Sequence, residues 1–157
     1  MTTIEIRPAE SREAESIRNI VRAAYAKWVP LIGREPMPMR ADYEQALTKH
    51  RFDLAVEGTK IRGLIETLAH NDHIWIENVA VAPEAQGQGI GRLLFAHVEQ
   101  LAIDASLPQL RLLTNGAFEA NLTLYKRLGF VTDRVEEFMG GTAVYMSKTL
   151  GTPSPKS

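Results

Sequence analysis

Seven consecutive residues, Gln86-Gly87-Gln88-Gly89-Ile90-Gly91-Arg92, carry the strongest chemical signal in this chain. Glycines at alternate positions let a backbone approach a ligand with no Cβ in the way. If a helix opens here, the amides of Gln88, Gly89, Gly91 and their neighbours point outward with the helix dipole behind them. Such a cluster takes phosphate or pyrophosphate. A ligand-free tight turn uses the same residues, but glycine costs a helix about 0.5–1 kcal/mol relative to alanine, and backbone access explains that expense at Gly89 and Gly91. Two nucleotide readings fit poorly. A triphosphate loop continues Gly-Lys-Ser/Thr, whereas this chain continues Gly91-Arg92-Leu93. A dinucleotide fold places its glycines after the first strand of a βαβ unit, with an acid roughly 20 residues on; here Asp104 falls too early, inside or just after a helix. A second pair, Asn121 and Tyr125, is spaced four apart and shares one helix face.

The elements that must hold these residues follow from periodicity. Ile4–Arg7 alternates as a strand. Ser11 can cap a helix whose apolar face runs Ala14, Ile17, Ile20, Val21, Ala24, Tyr25, Trp28 until Pro30 ends it. Pro30–Arg40 reads as a loop and Ala41–His50 as a short helix. Phe52–Glu57, Ile61–Ala69 and His73–Val81 form an antiparallel meander over the turns Gly58-Thr59-Lys60 and Asn71-Asp72. The period then turns helical: Ile90, Leu93, Leu94, Val98 and Leu101 make a stripe, closed by Pro108. Leu110–Thr114 is a strand, and Glu119–Leu128 a helix with Gly129 at its left-handed cap. Phe130–Glu136 and Thr142–Lys148 are strands around Gly140-Gly141. Strand, helix, strand between residues 73 and 115 implies a parallel crossover. The predicted fold is an α/β (α+β) mixed sheet of about seven mostly antiparallel strands with a central parallel pair and four helices. Residues 1–150 make one domain, and Gly151–Ser157 a disordered tail.

Composition excludes several classes. The chain has 157 residues, with 18 Lys+Arg against 19 Asp+Glu and a net charge of −1. That balance lacks the basic surplus of a nucleic-acid binder. Zero cysteines exclude a disulfide scaffold, a thiolate metal site and a cysteine nucleophile. No apolar run approaches a membrane span of about 18 residues, and Met1–Ala9 carries Glu5 and Arg7 in place of a signal peptide's apolar core. The expectation is a soluble, cytoplasmic protein with no membrane partner. His73 and His97 have no companions at metal-ligand spacing, so no metal is expected.

Read with its flanks, the glycine segment resembles the acetyl-CoA signature of the GNAT superfamily of N-acetyltransferases, Gln-x-x-Gly-x-Gly after a strand and opening a long helix. Asn78-Val79-Ala80-Val81-Ala82-Pro83 is similar to that family's fourth strand, and Leu124-Tyr125-Lys126-Arg127-Leu128-Gly129-Phe130 to its late Leu-Tyr-x-x-x-Gly-Phe motif. The order of elements over roughly residues 3–149 agrees.

The resemblance implies acetyl-CoA as cofactor, with its pyrophosphate on Gln86, Gly87, Gln88, Gly89, Ile90, Gly91 and Arg92. It implies that the fourth and fifth strands splay apart and that pantetheine pairs with the backbone of Val79, Ala80 and Val81. Tyr125 stands where the family keeps its general acid, to protonate the departing thiolate. The family's asparagine usually lies seven residues before that tyrosine; here that place holds Phe118, and Asn121 is the shifted candidate, with Asn115 a second. Direct attack needs a neutral amine, for which Glu77 is the candidate base and Glu66 the runner-up, unless positioning alone suffices. Tyr25, Trp28, Met37, Met39 and Tyr43 would contribute to the acceptor wall, and many of them equally to the core. The acceptor itself, a small-molecule or peptide amine, is not legible. A homodimer through exposed C-terminal strands is compatible with the pattern, and a catalytically inactive acyl-CoA sensor on the same fold is the alternative function.

Overall fold

The computed structural model describes residues 3–151, and the predicted tail beyond Gly151 lies outside them. The strands are β1 (Ile4–Pro8), β2 (Arg51–Glu57), β3 (Lys60–Ala69), β4 (His73–Val81), β5 (Gln109–Asn115), β6 (Val131–Phe138) and β7 (Gly141–Thr149). The helices are α1 (Ala14–Tyr25), α2 (Val29–Ile32), α3 (Tyr43–Lys49), α4 (Ile90–Asp104) and α5 (Glu119–Arg127). The seven strands run in the order β1-β2-β3-β4-β5-β7-β6. The β4–β5 pair is parallel, from His73↔Gln109 to Ile76↔Leu112. The β1–β2, β2–β3, β5–β7 and β6–β7 pairs are antiparallel. This is the expected mixed sheet with one parallel pair; α2, a single turn, adds to the four predicted helices.

Residues up to Thr67 together with Asn78–His97 form one compact unit; Leu68–Glu77 together with the residues from Val98 onward form a second. In the first, α1 turns Ala14, Ile17, Val21 and Ala24 onto Phe52, Leu54, Leu64 and Tyr43. Full burial of side chains such as Ile17 and Leu54 contributes about 1.5–3 kcal/mol each. Tyr43 meets Phe52 edge-on at 6.0 Å. Gly58, at φ +63°, starts the two-residue turn between Glu57 and Lys60, as a primed hairpin turn requires.

Three local expectations in this unit are corrected. Glu10, not Ser11, precedes the first helical turn: Glu10 and Glu13 form a capping box, and Ser11 lies inside a 3-10 turn, Ser11–Glu13. Glu13 also takes both arms of the Arg7 guanidinium, at 2.9 and 2.7 Å, so a carboxylate fixed by a strand arginine makes the better partner. Pro30 does not end the first helix, which stops at Tyr25. A 3-10 turn, Ala26–Trp28, and α2 follow, with Pro30 in the first turn of α2, where a missing N–H costs nothing. The segment Pro30–Arg40, expected to be a loop, therefore holds most of α2, its left-handed cap Gly33 at φ +75°, and a 3-10 turn, Met37–Arg40.

In the second unit, Leu110, Leu112 and Met146 are buried on one side of β5 and β7, where Lys148 of β7 binds Glu99 of α4 at 2.6 Å. The β6–β7 turn is Met139-Gly140, at φ +49° and +82°, not Gly140-Gly141; Gly141 already pairs with Phe138. Strand β6 is exposed along its whole length. Asp133 is left out of register between Thr132 and Arg134, and such a bulge discourages pairing with another edge.

Candidate functional site

In the first unit the glycine segment forms the entry to α4. Gly87 and Gly89 sit at φ +82° and +81°, a left-handed backbone that side chains strongly disfavour. A Cβ placed on Gly87, Gly89 or Gly91 would meet nothing within 4 Å, so the backbone faces open space. The first amide to find a helical acceptor is Leu93, bonded to the Gly89 carbonyl at 3.1 Å. Among the described residues the amides from Gly87 to Arg92 make no backbone bond; at the start of α4 the first turn of a helix dictates this. Gln86, Gly87, Gln88, Gly89 and Arg92 are exposed, while the Ile90 side chain is buried and anchors the turn. An acyl-CoA pyrophosphate needs such an accessible row of donors at a helix N-terminus, and these residues fit it.

Neighbouring residues hold the turn against the end of β4. The Gln86 side-chain carboxamide donates from Nε2 to the Val81 main-chain carbonyl at 3.1 Å, and Lys27 Nζ donates to its Oε1 at 3.4 Å. Gly63 of β3 lies under the start of α4: a Cβ there would come within 3.0 Å of the Ala80 carbonyl and 3.2 Å of Ile90. Asn78, buried in β4, accepts from the Tyr25 hydroxyl at 2.8 Å and donates to the Tyr43 hydroxyl at 3.1 Å. Tyr43 in turn donates to the Pro38 carbonyl at 2.7 Å. The Tyr25 hydroxyl also lies 3.3 Å from the Val79 carbonyl. Thus β4, α1 and the Met37–Arg40 turn are locked by one polar chain. Val79 and Val81 are half-buried and Ala80 is buried. Of the residues expected to form an acceptor wall, Tyr43 and Met39 are core, whereas Met37 is exposed.

The second unit holds Tyr125. The helix α5 ends in a Schellman cap: the Phe130 amide donates to the Tyr125 carbonyl at 2.9 Å and the Gly129 amide to the Lys126 carbonyl at 3.1 Å. Gly129 takes φ +100° to permit it. The Tyr125 and Phe130 rings meet at 6.0 Å, the apolar contact that accompanies this cap. Tyr125 is 6% exposed, and burial pushes its phenol well above the ordinary tyrosine value. It therefore holds its proton throughout the neutral range. Asn121 is half-buried on the same helix. The Asn115 carboxamide oxygen accepts from the Ala117 amide at 2.8 Å, an Asx turn leading into α5.

Glu77, also in the second unit, is exposed and accepts from the Trp75 indole at 2.8 Å, so the two share one strand face. Glu66, in the first unit, is buried and lies 2.6 Å from His50 Nδ1. Glu119 opens α5, where a carboxylate favours the helix dipole. His97 Nε2 is 3.3 Å from Asp53, a fully buried carboxylate already bonded by Arg51 at 2.8 and 3.1 Å. The separation is right for attraction, but among the described residues His97 Nε2 has no hydrogen-bond partner. Among the described residues no group of three metal-ligating side chains converges, and no helix is long and apolar enough to cross a membrane.

A profile of the acetyltransferase (GNAT) family matches residues 14–130. The chain belongs to that family. Other comparisons agree on the fold of this GNAT protein. The ribosomal-protein-S18-alanine N-acetyltransferase of Escherichia coli superimposes with a TM-score of 0.79 over 99% of each chain at 19% identity. The PaiA N-acetyltransferase of Thermoplasma acidophilum, solved with coenzyme A, gives 0.81 over 94% of this chain and 99% of its own, also at 19% identity. A bovine thialysine N-epsilon-acetyltransferase is 39% identical over 57 residues, 36% of this chain and 34% of the bovine one. The match thus spans about a third of that curated relative.

Within this GNAT chain, Val79–Val81 and Gln86–Arg92 belong to the first unit, and Glu77, Asn115, Asn121 and Tyr125 to the second. Two supporting residues have no individual role in the sequence pattern: Gly63, and Asn78, which stands there only as part of the strand motif Asn78–Pro83. Gly63 carried a usable signal, because a lone glycine in a strand pattern marks close backbone approach. Asn78 gave none of its own, since its partners Tyr25 and Tyr43 lie 53 and 35 positions away.

Proposed function

We propose that this chain is an N-acetyltransferase that moves the acetyl group of acetyl-CoA to a primary amine by direct attack. The observation that carries the reading is the entry to α4, with its left-handed glycines, open space and unbonded amides. Acetyl-CoA, when bound, supplies an acetyl group activated as a thioester. The amides from Gly87 to Arg92 hold its pyrophosphate, and Gln86 fixes the turn. The main chain of Val79, Ala80 and Val81 pairs with pantetheine, the Val79 amide polarising the carbonyl under attack. Asn121, with Asn115 as the second candidate, adds side-chain bonds to the cofactor. Glu77 takes a proton from the acceptor's ammonium group and leaves a neutral amine. The Tyr125 hydroxyl, kept protonated by burial, gives its proton to the leaving sulfur as the C–S bond breaks and regains one from the acceptor nitrogen, which loses its second proton on becoming the amide. The absence of cysteine favours one direct transfer over an enzyme-bound thioester. The acceptor class is a small-molecule or peptide amine, and the working compartment the cytoplasm.

Calorimetry tests the cofactor assignment. CoA should bind more tightly than ATP or NAD, and Gly89→Val should abolish CoA binding while the far-ultraviolet circular dichroism spectrum stays that of the wild type. Tighter binding of ATP or NAD, or unchanged CoA affinity in Gly89→Val, overturns the assignment.

A further inference from the structure

The second unit carries a groove whose lining residues have no part so far in binding the cofactor or in proton transfer. It has a volume of about 440 Å³ and lies on the sheet, its lining including His73 and Trp75 of β4, Arg111 of β5, Tyr145 of β7 and Arg134 of β6. On β4 and β5 these residues alternate with the buried Ile74, Ile76, Leu110 and Leu112, so they share the opposite face. Registers Trp75↔Arg111, Arg111↔Ser147 and Arg134↔Tyr145 place the two arginines on diagonal positions of that face.

The lining is charged asymmetrically. It has two arginines against one acid, the bulged Asp133, and each arginine has a further carboxylate beside it, Asp72 for Arg111 and Glu136 for Arg134. Both guanidiniums are held by their Nε atoms, Arg111 on Gln109 at 2.9 Å and Arg134 on Glu136 at 2.6 Å. Arg134 also lies 3.7 Å over the Tyr145 ring. A guanidinium fixed at Nε keeps Nη donors for a planar anion, and a carboxylate matches them in two-pronged geometry. Among the described residues Arg111 also pairs with Asp72, 3.5 Å from its Nη2 and itself bonded to His73 at 2.7 Å. Trp75 and Tyr145 supply apolar walls. Glu77, on the same face of β4, accepts from the indole of the lining residue Trp75 at 2.8 Å. Strand geometry puts the Glu77 and Arg111 Cα atoms about 8 Å apart, two residues along β4 and one strand across.

We infer that this groove binds a carboxylate, with Arg111 and Arg134 as its anion-binding residues, and that the acceptor is a molecule carrying both an amine and a carboxylate. The inference rests on the acetyl-transfer reading for the amine alone. With the amine at Glu77, the carboxylate falls to Arg111. The carboxylate can come from a free amino acid or from an acidic residue in a peptide.

The test uses the full chain, three acceptors and one non-acceptor. CoA release is followed with lysine, with cadaverine, which keeps the amine and lacks the carboxylate, and with a lysine-aspartate peptide amide. Glutarate, which carries carboxylates and no amine, is titrated by tryptophan fluorescence. The expected result is a preference of about tenfold in kcat/KM for lysine over cadaverine, the scale of one charge-assisted contact. Arg111→Gln should reduce that ratio to about one by raising the lysine KM, Arg111→Lys should restore part of it, and Arg134→Gln should weaken it independently. Glutarate should quench the wild type and not Arg111→Gln. A peptide preferred over lysine supports the groove and assigns its carboxylate to a peptide. Glutarate quenching with no acetyl transfer to any amine upholds the groove and removes the acetyl-transfer reading. Acetyl transfer that ignores the carboxylate, with no glutarate quenching, overturns the groove and leaves that reading standing. Fluorescence that responds to protein dilution and not to glutarate makes the face an interface between copies, which also overturns the proposal.

Discussion

The turn that opens α4 and the turn that closes α5 both depend on left-handed glycine, for opposite ends. At the opening turn, Gly87 and Gly89 adopt φ +82° and +81° and their amides stay unbonded among the described residues. At the closing turn, Gly129 adopts φ +100° and the amides of Leu128, Gly129 and Phe130 are all used on carbonyls of the last helical turn. The first turn leaves donors available for an anion. The second uses them to hold Tyr125 against Phe130. A glycine's dihedral angle therefore says little about function until the hydrogen bonds of its neighbours are followed to their partners.

The sharpest way to separate the two turns is through Tyr125. Tyr125→Phe should lower kcat about 10²–10⁴-fold, the usual worth of a positioned acid, while calorimetry reads an unchanged CoA affinity. A loss of affinity matching the loss of rate would move Tyr125 from proton donor to cofactor support. Because burial raises the phenol, its ionisation should cause no fall in rate as pH rises to about 10, the ordinary tyrosine value.

Asn78 tests the framework beneath the opening turn. Asn78→Ala strips partners from the Tyr25 and Tyr43 hydroxyls and should cost about 1–3 kcal/mol. Thermal unfolding should read this as a Tm lower by about 2–4 °C per kcal/mol. Gly129→Ala tests the closing turn: a Cβ at positive φ costs about 1–2 kcal/mol, so Tm should fall while CoA affinity holds. Reduced affinity without reduced stability would make the two turns alike and break the contrast.

The smallest effect concerns Glu13. Its carboxyl is held below the usual glutamate range, chiefly by the hydrogen bonds from Arg7, against desolvation. A depressed acid adds stability above its unfolded pKa and loses it as pH falls through the folded one. The Tm gap between wild type and Glu13→Gln should be full above about pH 4.5 and close in more acidic solution.

What the sequence revealed depended on how local the cause was. Strand alternation, the Gly58 turn and the Gly129-Phe130 cap are each decided within a few residues, and each reads directly from the chain. The glycine-rich entry to α4 was legible as well, because a left-handed backbone at a helix start asks for glycine and nothing distant. Pro30 misled because proline breaks a helix interior but suits a first turn, and the difference lies in where the preceding turn tightens. Ser11 lost its cap to Glu10 and Glu13 because Arg7, on a strand, fixes the Glu13 carboxylate. The hydrogen bonds of Asn78 and the groove around Arg111 were invisible for one reason: their partners come from separate elements, brought together by helix packing for Asn78 and by strand pairing for Arg111.

The central claim is acetyl transfer to an amine, and thiol release from acetyl-CoA across a panel of small and peptide amines tests it most directly. The expected result is amine-dependent release by the wild type that disappears in Gly89→Val. Release at the buffer rate with every amine, from a protein that still binds acetyl-CoA, would contradict the account and leave an acyl-CoA sensor in its place.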